Sequence, residues 1–139
     1  NYYTCLRRFS KMVTEITKGI RISANTYYQE EFSNPDNLHF IFSYHIVIEN
    51  MNDFPVQLLR RHWYIFDSSG EQSEVEGEGV VGEQPVLEPG QIYEYQSACN
   101  LNTDVGKMHG TYTMVRLSDG AYFEALIPEF QLIVPYKLN

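Results

Sequence analysis

Between residues 39 and 50 every second side chain is large and apolar. Phe40, Phe42, Tyr44, Ile46 and Ile48 share one parity, and Ile41, Ser43, His45, Val47 and Glu49 take the other. Successive side chains of a β-strand point to opposite faces, so a period of two fixes a strand with one face committed to a core. The same pattern recurs along the chain. Residues 14–29 read as a first strand, with Ile16, Ile20 and Ile22 on one face and Gly19 marking a bulge or a switch of face. Asn34-Pro35-Asp36 then turns the chain. Residues 56–67 follow, with Leu59, Trp63 and Ile65 on one face and Arg60, His62, Tyr64 and Phe66 on the other. Ser68-Ser69-Gly70 is a turn, and residues 73–78 and 92–98 are further strands. A polar connection over 100–107 precedes a hairpin of 109–117 with 121–126, closed by Ser118-Asp119-Gly120. Ile127-Pro128 ends or bends the last strand, which Phe130, Leu132 and Val134 continue.

No segment sustains a helical period. Six or seven short strands separated by turns predict an all-β, antiparallel β-sandwich without a helix longer than a turn or two. Its core should contain Phe40, Phe42, Tyr44, Ile46, Leu59, Trp63, Ile65, Tyr112 and Met114. Aromatic residues make up 14% of the 139 residues, which suits strands, where large rings fit the pleated surface. That length fits one domain with a core that needs no staples. We expect residues 12–139 to form it, with Met12 as the native start. Residues 1–11 are then an arm or a leader remnant, locally basic through Arg7, Arg8 and Lys11.

The stretch from Gly77 to Ser97 is less regular. It reads GEGVVGEQPVLEPGQIYEYQS, with Gly77, Gly79 and Gly82 in the spacing G-x-G-x-x-G. A phosphate cradle of that spacing requires a helix that opens after the glycines and aims its N-terminus at the anion. Pro85 and Pro89-Gly90 break such a helix within its first turns. No Lys or Arg lies between Arg61 and Lys107, whereas Glu74, Glu76, Glu78, Glu83 and Glu88 crowd the glycines. The competing reading is a set of backbone positions needing positive φ or close strand approach.

The same stretch carries a family resemblance. G-x-G-V-V-G-E-Q-P followed by P-G-x-x-Y-x-Y-x-S resembles the signature of the ApaG family. Further blocks appear in the matching order: Arg61-His62-Trp63 with Asp67 and Gly70 upstream, then Gly106-x-Met108-x-Gly110-x-Tyr112-x-Met114 and Ile127-Pro128-x-Phe130-x-Leu132 downstream. The resemblance covers residues 14–132. It implies an immunoglobulin- or fibronectin-III-like sandwich with no established enzymatic activity. In bacteria, family members are linked to cobalt and magnesium resistance or efflux. In eukaryotes the domain is fused to an F-box protein and occurs in a partner of DNA polymerase delta. That pattern implies a protein-interaction module. The alternative is a small-ligand factor, binding phosphate or a divalent metal, in cation homeostasis.

Charge and composition narrow the classes further. A net charge of −8 argues against general nucleic-acid binding, which depends on neutralising phosphates. No apolar run approaches the roughly 20 residues of a membrane-spanning helix. Cys5 and Cys99 form no zinc pattern; two reduced thiols fit a cytoplasmic location, and a disulfide would tie the arm to a strand.

Each reactive reading has a plainer competitor. Ser97, His109 and Asp104 lie in a workable triad order but without a G-x-S-x-G elbow. The acids of residues 74–88 could pair as in glycoside hydrolysis, or simply form a solvated face that selects basic partners. No catalysis and no cofactor are therefore expected. His45 and His62 would meet if the strands flanking residues 50–55 paired as a hairpin, but two imidazoles alone make a poor metal site.

The same hairpin would line up Ile41, His45, Val47, Arg60, His62, Tyr64 and Phe66 on a face away from the core. A solvated sheet face should alternate cleanly to polar, and this one stays apolar and aromatic. It is the expected interaction surface, for an unidentified protein partner or a second copy in a homodimer. The alternative is cover by another segment of the same chain, such as the N-terminal arm.

Overall fold

The computed structural model describes residues 12–138 and forms an antiparallel β-sandwich, as the strand pattern predicts. Nine strands follow in chain order: β1 (Val13–Thr17), β2 (Ile20–Tyr28), β3 (Phe40–Asn50), β4 (Val56–Asp67), β5 (Gln72–Glu78), β6 (Val86–Leu87), β7 (Ile92–Leu101), β8 (Val105–Arg116) and β9 (Ala121–Ile133). One sheet has the order β1-β2-β3-β7 and the other β5-β4-β8-β9, with β6 added beside the start of β4. The helical segments are short 3-10 turns over Glu30–Phe32, Pro35–Asn37 and Pro135–Leu138. Residues 1–11, including Cys5 and the basic cluster, lie outside the described residues.

β3 alternates between buried and half-buried along its whole length, and its buried side faces the second sheet. Tyr44 meets Trp63 at 5.3 Å and Phe130 at 5.9 Å, and the edge of Trp63 meets Tyr112 at 6.4 Å. Tilted and edge-to-face rings at these separations add favourable quadrupole contacts to the burial itself. Cys99 is a buried free thiol in this core, and burial pushes it up to about 11, which makes it inert at neutral pH.

Three expectations are corrected. Residues 14–29 are two strands, because Lys18 and Gly19 both adopt positive φ and turn the chain back on itself. Ile16 consequently lies 54% exposed on β1, whereas Ile20 and Ile22 are buried. On β4 the buried residue is Leu58 and not Leu59, because a bulge between Leu58 and Arg60 shifts the register and inverts the phase. Beyond the bulge, Trp63 is buried and Ile65 packs against the core.

The third correction matters most for function. β3 and β4 do not pair; they belong to opposite sheets, and residues 51–55 cross between them. Asn50, fully buried, anchors this crossover. Its side-chain amide donates to the carbonyls of Phe54 (2.9 Å) and Leu87 (3.0 Å), and its Oδ1 accepts from the Asn52 N–H (3.0 Å). A buried polar group persists where its partners are complete, as they are here.

Candidate functional site

The crossover divides the expected interaction surface. Ile41, His45 and Val47 lie on the outside of the β3 sheet, and Arg60, His62, Tyr64 and Phe66 on the outside of the β4 sheet. His45 and His62 are therefore on opposite faces of the sandwich and cannot share a ligand. His45 instead pairs with Glu94 across from β7, at 2.9 Å. Both faces remain half-buried strand surfaces, but only the β4 face gathers a chemically distinctive group.

Cross-strand registry builds that group. β4 runs between β5 and β8, which sets Tyr64 opposite Glu74 on one side and His109 on the other. On the same face, His62 lies opposite Glu76 and Thr111, and Phe66 opposite Gln72 and Lys107. The rings form a ladder. His62 stacks on Tyr64 at 4.4 Å and 17°, Tyr64 on His109 at 5.1 Å, and His109 on Phe66 at 5.6 Å. Lys107 caps it, with its ammonium 5.4 Å from the centre of the Phe66 ring, and also reaches Glu129 at 3.5 Å. Among the described residues no helix or strand layer covers this face. Stacked planar rings are stiff and lose little conformational freedom when a partner covers them, which favours them at interface centres.

The acids form a rim. Glu74, Glu76 and Glu78 occupy alternate positions on β5 and so share the outer face. Glu83 is engaged elsewhere, accepting a hydrogen bond from the Tyr93 hydroxyl at 3.0 Å.

The glycine stretch has a structural explanation. Val80 and Glu83 exchange backbone hydrogen bonds at 2.8 and 3.0 Å around Val81 (φ +48°) and Gly82 (φ +77°). Two positive φ values in a two-residue loop define a type I′ turn. At Gly79 (φ +63°) a Cβ would sit 2.2 Å from the Glu83 carbonyl oxygen. Arg61 lies alongside, donating to the carbonyls of Glu78 and Gly79 at 3.0 and 2.9 Å. The chain thus turns from β5 back toward β6, and no helix opens to present N–H groups to a phosphate. Val81 is a β-branched residue in left-handed conformation, 62% exposed. Val81→Asn should therefore raise stability by about 1 kcal/mol, read from the midpoint of chemical denaturation.

The triad order does not assemble. Ser97 lies directly opposite the buried Tyr44 on the inward face of its sheet, whereas His109 lies on the outer face of the other sheet. The thickness of a sheet separates them. Asp104 sits between β7 and β8 and accepts from the Tyr136 hydroxyl at 3.2 Å.

Comparison with known proteins fits this architecture. The ApaG domain model matches residues 30–116. Protein ApaG of Anaeromyxobacter dehalogenans is 48% identical over 128 residues, 92% of this chain and all of that protein. Protein ApaG of Dechloromonas aromatica is 50% identical over 109 residues, 78% of this chain and 85% of that protein. Among solved structures, a Northeast Structural Genomics Consortium target superposes with a TM-score of 0.82 at 40% identity, covering 90% of this chain and 94% of that one. A Bordetella pertussis protein named ApaA superposes with a TM-score of 0.79 at 38% identity, covering 91% and 95%.

Proposed function

The chain belongs to the ApaG domain family, and from that premise we propose that it is a non-enzymatic protein-interaction module. The binding surface is the outer face of the β4 sheet. One observation carries this reading: the stacked ladder of His62, Tyr64, His109 and Phe66 on a face that no described layer covers. Half-buried aromatic rings next to an acidic rim make a surface with an apolar centre and a charged edge, the usual anatomy of a protein interface. The acids of β5 select for a partner with basic residues at the matching margin.

The family's link to cobalt and magnesium resistance or efflux in bacteria enters here as part of the proposal. No described helix is long and apolar enough to cross a membrane. We assign any contribution to efflux to contact with another protein, in the cytoplasm.

The test compares the two faces that the crossover separates. Tyr64→Glu and Phe66→Glu should each weaken retention of proteins captured from the native source, or of a second copy in sedimentation, by about tenfold or more. Their melting temperatures should stay near that of the parent. Val47→Glu, on the other sheet, should leave capture unchanged. Loss of capture with Val47→Glu alone would move the binding surface to the β3 face. Unfolding of the Tyr64 and Phe66 variants would make the ladder a second core.

A further inference from the structure

The ladder ends beside a group of side chains with a different chemistry. His62 on β4 and Glu74 and Glu76 on β5 place one imidazole nitrogen and two carboxylate oxygens within 4.8 Å of one another. The Nε2 of His62 has no hydrogen-bond partner and is shielded from solvent, although its ring as a whole is 28% exposed. Its closest acid oxygen, on Glu74, is 3.6 Å away. That is too long for a good hydrogen bond, which closes near 2.7–3.2 Å. It fits the spacing between two ligands of one ion. Donors on a shell of about 2.0–2.2 Å around a tetrahedral centre lie roughly 3.3–3.6 Å apart.

We infer that His62, Glu74 and Glu76 form a binding site for a first-row divalent transition ion, typified by zinc. The backbone provides the preorganisation. Antiparallel registry sets His62 directly opposite Glu76, with Glu74 two residues further along β5 and on the same face. Stacking on Tyr64 holds the imidazole plane, so Nε2 stays aimed at the acids. Only the Glu76 carboxylate, on an exposed edge strand, has to rotate to close the set. The ion would give the solvent-shielded Nε2 the partner it lacks, relieving the cost of an unsatisfied buried nitrogen. It would also offset the repulsion between the two glutamates. Water fills the remaining coordination position, as in other three-ligand sites.

The donor set chooses the ion. One nitrogen and two carboxylates suit zinc and its first-row neighbours. Magnesium prefers oxygen donors in octahedral array and dehydrates reluctantly, so it should compete poorly. The His45–Glu94 pair on the opposite face gives an internal contrast. There a single acid takes the imidazole nitrogen at hydrogen-bonding distance, leaving no gap for an ion. The assignment does not depend on whether the aromatic ladder binds a protein.

Calorimetric titration of the full chain with zinc chloride, together with amide line broadening by manganese(II), tests it. The expected result is saturable binding of zinc, with broadening centred on residues 62, 74 and 76. His62→Gln and Glu76→Gln should each weaken that binding by about tenfold or more, and His45→Gln should leave it unchanged. A tenfold excess of magnesium should not displace the zinc. Glu76 is an exposed strand residue, so its variant reads the site even if His62→Gln disturbs the fold. Absence of saturable binding, broadening centred elsewhere, or affinity unchanged in Glu76→Gln would overturn the assignment. Displacement by magnesium would overturn the choice of ion.

Discussion

Trp63→Ala should lower the unfolding free energy by about 3–5 kcal/mol, the usual cost of deleting a large buried aromatic residue. The indole is 2% exposed and lies between the sheets, in contact with Tyr44, Tyr112 and Phe130. Tyr44 comes from β3 and the other two from β8 and β9, so Trp63 joins both sheets through one side chain. Its removal leaves a cavity bordered by rings, which cannot collapse without moving strands that are fixed by their ladders. Trp63→Phe should recover part of the loss, because it restores apolar volume without filling the site. Urea unfolding of the three proteins, followed by tyrosine fluorescence and circular dichroism, gives the differences directly. A loss below about 1 kcal/mol in the alanine variant would mean that the site repacks and that Trp63 is not the keystone of the core.

Asn50→Ala should cost about 2–4 kcal/mol, more than its small size suggests. The side chain makes three hydrogen bonds in a fully buried position, and truncation leaves the Phe54 and Leu87 carbonyls and the Asn52 N–H without those partners. The backbone of Asn50 is also tied in: its N–H donates to Gln91 and its carbonyl accepts from Gly90. One residue thus joins the end of β3, the crossover, β6 and the turn before β7. Asn50→Asp keeps the shape and removes the donors, so it separates hydrogen bonding from packing. At neutral pH it should destabilise at least as much as alanine, since a carboxylate would face two carbonyl oxygens in a buried site. Equal stability of the alanine variant and the parent, by the same urea unfolding, would show that water or backbone movement satisfies these groups without Asn50.

Asn50 also marks the limit of what the chain discloses before folding. The alternation of residues 40–50 is legible because every contact that it needs is local to one strand, and burial follows it residue by residue. The connection that follows is not legible. Residues 51–55 are as short as a hairpin loop, and the contacts that carry the chain to the other sheet, such as that of Asn50 with the Leu87 carbonyl, are distant in sequence. Pairing β3 with β4 would have brought His45 to His62; the crossover sends them to opposite faces. Leu59 fails for a related reason. A bulge inverts the parity of β4 midway, and nothing in the apolar pattern of Leu58-Leu59 says which of the two is buried.

The His62–Glu74–Glu76 group did have a signal. Ser68-Ser69-Gly70 is a tight turn, with the Asp67 carboxylate receiving the Ser69 and Glu71 N–H groups. The Ser69 hydrogen bond holds that carboxyl below its usual range. Reflecting the chain about Ser69 sets His62 opposite Glu76 and Tyr64 opposite Glu74, as the structure has them. The strand itself is legible, but it is exposed on almost its whole length and carries no apolar alternation of its own, so nothing local says which face its acids take. His109 is harder still. It joins the ladder through β8, more than 40 residues along the chain, and no local pattern announces a stacking partner at that distance.

The most direct test of the binding surface is hydroxyl-radical footprinting of the chain alone and in complex with the protein it captures from its native source. Tyr64, Phe66 and His109 are half-buried but solvent-facing, and their rings oxidise readily enough to report cover. The account predicts that all three are protected together in the complex, while Ile41 and Val47 on the opposite sheet keep their reactivity. Protection of Ile41 and Val47 with Tyr64, Phe66 and His109 unchanged would contradict it.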